Sequence, residues 1–303
     1  MDQRESEKGG KVKGIILAGG EGTRLRPCTL VVGKQLLPVF DKPMIYYPLS
    51  TLIHAGVDEV LVVTTPHEVE RFKTLLSDGK QFGISISYAV QETPGGIPQG
   101  ILLAEEFLGG DSFWFILGDN LFHGPEFGAR LRDMRENLGA HIFTYRVKDP
   151  SAYGVAVFTT NEDEIQSLVE KPQDGISKWA IPGIYFLDST AVEKAKHLRP
   201  SERGELEIID LLKVYLTAKN LHAHKVSRGN AWFDLGTAEN LLRAAMFVEA
   251  LQSRQGLLVG SPEEAAFSAG YVSASNLEKY LEKLGKNDYT NQVLSSLSLG
   301  KLN

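Results

Sequence analysis

From Val12 onward the chain alternates short continuous apolar runs with longer stretches in which apolar residues recur every three to four positions. Continuous runs bounded by turn formers are the pattern of strands buried on both faces, and spaced apolar positions are the pattern of amphipathic helices. Val12 to Leu17 is the first such run, and it ends abruptly in Ala18, Gly19 and Gly20. That predicts a buried strand entering a tight loop. Further strands are predicted over 59–65 (EVLVVTT), 84–90 (ISISYAV) and 112–118 (SFWFILG). Between them, 43–55 opens on Pro43 and closes at Gly56, while 66–77 opens on Pro66 and carries Val69, Phe72, Leu75 and Leu76 at helical spacing. A first-turn proline and a glycine just past the end are helix boundaries. Strand and helix in alternation predict a parallel sheet covered on both faces.

The texture changes near residue 140. HIFTYRV, GVAVF, IQSLVEK and WAIPGIYFL follow one another too closely for crossover helices, so they predict an antiparallel or mixed extension of the same sheet. Helices return at 189–198, at 205–219 with a stripe of Leu206, Ile209, Leu212 and Leu216, and at 237–253 behind Thr237. Pro262, Gly270 and Gly285 break the last fifty residues into short helices. The predicted fold class is α/β, a Rossmann-like sheet that is mixed but mainly parallel, flanked by helices, with a helical C-terminal extension. The predicted organisation is a tail over 1–11, an α/β unit over 12–254 and a helical region over 255–303. Within the α/β unit, 12–139 is predicted as a first part and 140–236 as a second.

Composition narrows the class. The 303 residues carry 32 Lys and Arg against 38 Asp and Glu, a net charge of −6, with no basic run. Nucleic acid is therefore an unsuitable partner. Cys28 is the single cysteine, which excludes an intrachain disulfide and a thiolate zinc cluster. The N-terminus has no apolar signal stretch and no segment reaches the length of a membrane span, so a cytoplasmic protein is predicted.

The candidate chemistry starts at LAGGEGTRLRPCT, residues 17–29, directly after the first strand. Glycines at a strand's carboxyl end let backbone N–H groups approach phosphate oxygens, and Arg24 adds a planar fork that suits phosphate. Lys34 supplies a second, point-like charge. Neither familiar phosphate motif fits: Leu25 stands where the dinucleotide fingerprint needs its last glycine, and Gln35 follows Gly33-Lys34 where a Walker loop needs Ser or Thr. A glycine turn alone is more often only a turn, and Asp119, at the end of SFWFILG, is alone as often a cap as a ligand. Asp234, in AWFDLGT, is a second isolated carboxylate of the same placing, and two such groups suit Mg²⁺ with phosphate and water. Glu170-Lys171-Pro172 ends a strand and reads either as a surface ion pair or as a sugar-phosphate contact. His222 and His224 share a strand face without a third ligand at zinc spacing, and a G-x-S-x-G elbow is absent.

Taken together, GIILAGGEGTRLRP, GKQLLPVFDKPMIYYPLSTL, GDNLFHG, YGV, EKP, RGELEIIDL and AWFDLGT resemble, in order, the sugar-1-phosphate nucleotidylyltransferase family. The resemblance implies the nucleotide-diphospho-sugar transferase type of fold and a Mg²⁺-dependent transfer of a thymidylyl group from dTTP to glucose 1-phosphate. The product would be dTDP-glucose, the entry to deoxysugars such as dTDP-rhamnose. It implies that Leu17, Gly19, Gly20, Gly22, Thr23, Arg24, Lys34, Gln35, Gln91 and Gly96 bind the nucleotide. Asn120, Gly154, Glu170, Lys171, Ile181, Tyr185 and Trp232 would surround the sugar phosphate, and Asp119 and Asp234 would hold the metal. Arg24, Lys34, Asp119 and Lys171 are the implied catalytic groups, and a homotetramer with a regulatory C-terminal region is the implied assembly. The chain departs from the family at Gly33, usually Ser, at Pro98 and Gly100, usually Ala, and at Pro182. A uridylyltransferase, another hexose 1-phosphate and a non-catalytic sugar-nucleotide sensor stay open at this point.

Overall fold

The computed structural model describes residues 12–124, 127–134, 138–161 and 164–299, so the predicted tail over 1–11 and the last four residues of the chain lie outside it. The first half runs β1 (Lys13–Ala18), β2 (Pro38–Val39), β3 (Lys42–Pro43), α1 (Tyr46–His54), β4 (Glu59–Thr64), α2 (Val69–Leu76) and β5 (Ser85–Val90). It continues through α3 (Ile97–Leu103), α4 (Glu105–Leu108), β6 (Phe113–Leu117), β7 (Asn120–His123) and α5 (Phe127–Arg132). The second half runs β8 (Ala140–Arg146), β9 (Gly154–Phe158), β10 (Ile165–Glu170), β11 (Trp179–Ala180), β12 (Ile184–Leu187), α6 (Ala191–Lys196) and α7 (Ile208–Thr217). It closes with β13 (Leu221–Lys225), β14 (Ala231–Asp234), α8 (Ala238–Gln255), α9 (Pro262–Ser268), α10 (Ala274–Leu284) and α11 (Asp288–Leu299).

A ten-stranded sheet in the order β10-β9-β11-β8-β12-β6-β1-β4-β5, with β13 beside β8, forms the middle layer. β6, β1, β4 and β5 are mutually parallel, whereas β12 pairs antiparallel with β6 and with β8. The mixed extension predicted after residue 140 is thus a continuation of one sheet. β1 is apolar on both faces because each face has a helical layer. Ile15 and Leu17 point into a core shared with α3, α6 and α7, and Ile16 and Ala18 into one shared with α1, α2 and α9 to α11. The C-terminal helices therefore bury Ala265, Leu277, Leu281 and Val293 in the same core as α1.

This topology creates a crevice. The chain leaves β1 for β4 and β5 on one side and then returns to β6 on the other, so the loops after β1 and β6 diverge at the carboxyl edge. The glycine loop follows β1 and Gly118-Asp119 follows β6; Gly118 donates its N–H to the Leu17 carbonyl at 2.9 Å, holding the two exits together.

Three expected boundaries move. Pro43 lies in the β2–β3 pair, and α1 begins at Tyr46. Pro66 precedes α2, which begins at Val69. Leu206 is not on α7: it is extended and bridges to Gly96, so the helical stripe begins at Ile208 and Ile209.

Candidate active site

The loop after β1 turns through Gly22, whose φ of 58° is left-handed, into a 3₁₀ turn over Thr23–Leu25. Thr29 caps that turn from the side, its Oγ1 donating to the Gly22 carbonyl at 2.8 Å. A Cβ on Gly22 would lie 2.9 Å from the Thr29 methyl and 3.2 Å from Lys34 Cβ, so glycine is required for both backbone conformation and space. Across the loop, Gln91 follows β5, its N–H bonded to the Thr64 carbonyl. Its side chain lies over Gly19, where an added Cβ would stand 2.5 Å from Oε1. Leu17, Gly19, Gly20, Gly22, Thr23, Gln91 and Gly96 together line one cavity of about 460 Å³. Gln35 is buried beside it, with its Cγ 2.9 Å from a Cβ built on Gly118.

Behind this cavity the acidic pair is assembled by β7 and β14. These antiparallel strands set Asp234 opposite Asn120, and the Leu235 N–H bonds to the Asp119 carbonyl at 2.9 Å. Asp119 is 9% exposed and its Oδ2 is ion-paired with Lys34, while the Asn120 amide donates to Oδ1 at 3.2 Å. Burial opposes its charge, but the Lys34 ammonium and these hydrogen bonds hold its carboxyl below the ordinary value. Asp234 moves the other way, raised first by burial and then by the Asp119 charge. Arg24 approaches from the glycine loop: a Cβ on Gly236 would lie 2.6 Å from Arg24 Nη2 and 3.0 Å from Asp234 Oδ1. Two mutually repelling carboxylates with cations on one side are a donor set that suits a hard divalent ion whose remaining ligands are phosphate and water. Among the described residues no group of three His, Cys, Asp or Glu forms a metal cage by itself.

Asn120 links this pair to the second half of the chain. Its Oδ1 accepts from Trp232 Nε1 at 2.6 Å and from the Gly183 N–H at 3.1 Å. Trp232 packs in turn against Tyr153, the rings tilted with centroids 5.0 Å apart. The Ile181 N–H bonds to the Gly154 carbonyl, and Gly154 is registered against Glu170, whose Oε2 lies 3.2 Å from a Cβ built on that glycine. Tyr185 is buried nearby, and burial followed by the Glu170 charge raises its phenol. Lys171 has a left-handed φ of 44° and pairs with Glu170 at 3.1 Å. Among the described residues no ion pair joins Lys171 to Asp119 or Asp234; the predicted cations thus divide into Arg24 and Lys34 beside the acidic pair and Lys171 on the other side.

Several residues at the site were not singled out from sequence. Gln99 accepts from Gln91, Leu206 bridges to Gly96, Tyr153 covers Trp232, and Arg203 pairs with Glu207 at 2.8 Å and approaches Glu170 at 3.7 Å. YGV and RGELEIIDL contained three of them without indicating which side chains turn inward. Two of the departures find plain accommodation. Pro98 sits in the first turn of α3, where its missing N–H is not needed, and a Cβ on Gly100 would lie 3.3 Å from Leu17 and Phe115. The fold stacks His141 of β8 against His222 and His224, with His141 Nδ1 and His224 Nε2 hydrogen-bonded to each other at 2.9 Å, and among the described residues no three such groups are placed to hold a metal.

Comparison with known proteins bears on this arrangement. Residues 13–250 match the nucleotidyl transferase family model. The chain is 50% identical over 279 residues to a glucose-1-phosphate thymidylyltransferase of Xanthomonas campestris pv. campestris (strain B100), covering 91% of this chain and 94% of that protein. It is 49% identical over 287 residues to the protein of that name from Neisseria meningitidis, covering 94% of this chain and 99% of that one. Among solved structures, it resembles a Bacillus anthracis protein crystallised with sucrose under the same name (TM-score 0.72, 38% identity, 78% of this chain and 94% of that chain). It also resembles a UDP-glucose pyrophosphorylase crystallised with UDP-glucose (TM-score 0.69, 25% identity, 80% of this chain and all of that chain). With matches of this extent on a sheet and crevice of this design, the chain belongs to the nucleotidyl transferase family.

Proposed function

We propose that this enzyme transfers a thymidylyl group from dTTP to α-D-glucose 1-phosphate, forming dTDP-glucose and pyrophosphate. The observation that carries the reading is an unbroken run of contacts from the glycine loop to the second half of the chain. The loop lines a cavity and brings Arg24 toward Asp234, Lys34 pairs with Asp119, and Asn120 connects through Trp232 and Tyr153 to Gly154, Glu170 and Lys171. The triphosphate lies along the loop from Leu17 to Arg24 with Lys34 and Gln35 beside it, the base against Gln91 and Gly96. The sugar phosphate lies among Asn120, Gly154, Glu170, Lys171, Ile181, Tyr185 and Trp232.

A phosphate monoester has a second pKa near about 6, so the attacking oxygen is ionised at neutral pH and needs no general base. Its bond to the α-phosphorus forms as the bond to the pyrophosphate oxygen breaks, and the electron pair leaves with pyrophosphate. The obstacle is anion repulsion and alignment, which Arg24 and Lys34 lower on the nucleotide and Lys171 lowers on the sugar phosphate. Asp119 and Asp234 are the residues that would hold Mg²⁺, whose chemistry is charge neutralisation between the phosphates. The same reading takes the protein as a cytoplasmic homotetramer with its C-terminal helices at a subunit contact.

The likeness to UDP-glucose pyrophosphorylase favours one competing reading, UTP as donor. One methyl separates thymine from uracil, a difference worth only about 1 to 3 kcal/mol in a pocket. A pyrophosphate-release assay crossing five nucleoside triphosphates with several hexose 1-phosphates separates the readings. The highest kcat/KM is expected for dTTP with glucose 1-phosphate, and only with Mg²⁺. Release from UTP alone would replace the donor, and release from no pair would leave a sensor.

A further inference from the structure

Gln99 is half-buried in the first turns of α3, and its Oε1 accepts a hydrogen bond from Gln91 Nε2 at 2.5 Å. Its place is made by the backbone around it. Pro98 starts the helix, and Gly95 leaves room for the amide, since a Cβ at Gly95 would stand 2.5 Å from Gln99 Cδ and Oε1. Gln91 is equally constrained at its main chain by the bond to Thr64. What remains free is the sense of the Gln91 amide, and the bond to Gln99 takes up its donor edge. The opposite edge, Oε1, has no protein donor among the described residues and lies over Gly19, where both residues line the cavity. The cavity is therefore offered an acceptor at this point.

We propose that Gln99 is a positioning residue for base selection: by accepting from Gln91 it holds the Gln91 carbonyl toward the base, so the site takes pyrimidines with an N3–H and rejects those without. Thymine and uracil donate from N3, whereas cytosine presents a lone pair there. Two acceptors facing each other leave both without the hydrogen bond that the matched pair makes. The inference rests on the reading that Gln91 faces the base, and it adds the residue that decides which edge Gln91 shows. It does not separate thymine from uracil, which share that imide edge.

The test is the ratio of kcat/KM for dTTP to that for dCTP, each with glucose 1-phosphate, in the full chain and in Gln99→Glu, Gln99→Lys, Gln99→Leu and Gln91→Leu. Using a ratio removes any uniform effect of a new charge near the triphosphate. Gln99→Glu keeps an acceptor and is expected to keep the wild-type ratio. Gln99→Lys offers only donors, turns the Gln91 amide round, and is expected to lower the ratio by about ten- to a hundredfold, mainly through KM, the range for one unpaired buried group. Gln99→Leu is expected to fall between them. The Glu and Lys variants are similar in size and opposite in hydrogen-bonding sense, so they decide the matter even if the Leu variant folds poorly. Equal ratios in those two, with a collapsed ratio in Gln91→Leu, overturn the role of Gln99 and leave the base reading standing. An unchanged ratio in Gln91→Leu overturns both, as does a wild-type enzyme that does not prefer dTTP to dCTP.

Discussion

At the scale of single residues, the proposed function places most weight on the acidic pair. Asp119 is nearly buried and is kept charged by Lys34, while Asp234 is raised by burial and by Asp119. Asp119→Asn keeps the shape and the Asn120 contact but removes the charge that Lys34 pairs with and that, in the proposed function, would hold a divalent ion. We expect it to retain the fold, by circular dichroism and thermal melting, and to lower kcat/KM by about two to three decades, or ~3 to 4 kcal/mol. Arg24→Ala should behave alike, because Arg24 meets Asp234 from the loop side. Near-normal turnover in either variant would remove these residues from the mechanism. Asp119 and Asp234 were both legible from the sequence as charged groups ending apolar runs. Their nearness was not, because it depends on β7 and β14 pairing across more than a hundred residues.

At the scale of elements, the site depends on how strands hand over to helices. β14 ends at Asp234, and α8 starts four residues later behind Thr237, whose Oγ1 accepts from the Asn240 N–H at 3.2 Å. Asn240 reaches back in turn to the Asp234 carbonyl at 2.9 Å. Thr237→Ala is expected to cost about 1 kcal/mol, the usual value of an N-cap. That corresponds to a fall in melting temperature of roughly 2 to 4 °C for a domain of this size. An unchanged melting temperature would mean that Asn240 alone secures the helix start. This cap was readable because Thr before an apolar-periodic stretch is a local signal. The misplacement of Leu206 had the opposite origin: it continues a helical stripe in sequence, yet it is held extended by Gly96, whose φ of 89° puts its backbone against the Leu206 carbonyl. A Cβ at Gly96 would stand 2.0 Å from that oxygen, so a long-range contact overrides the local period.

At the scale of the whole molecule, two buried polar groups of residues connect distant parts of the chain. Lys42 follows the loop of Lys34, and it bonds to Asp41 and to Gln252 of α8. Nearby, Glu263 of α9 accepts from Tyr289 of α11 and from Ser261. On the far side of the molecule, His224 is pushed down to about 4 by burial and then by its neighbours His141, Arg130 and His222. The unfolded chain takes up that proton near the ordinary value of 6.5, before the folded protein does. This contribution is therefore complete above pH 6.5 and is lost as pH falls toward about 4. Melting temperatures measured across that range should fall less steeply in His224→Gln than in the parent; parallel slopes would locate the acid sensitivity elsewhere.

The sequence by itself determined the alternation of strands and helices, the apolar character of the central strands, the glycine loop and the charged residues at strand ends. All of these are local signals, set by backbone freedom, side-chain period and the few residues that suit phosphate. Only the tertiary structure decided which of those ends meet. The return of the chain to β6 on the far side of β1 opened the crevice, β14 brought Asp234 to Asp119, and the C-terminal helices closed over α1. It also brought the amides of Gln91 and Gln99 together, a hydrogen bond between residues eight positions apart that no local signal marks. Hydrogen-bond sense and strand order are properties of residues brought together, and neither is written in the neighbours along the chain.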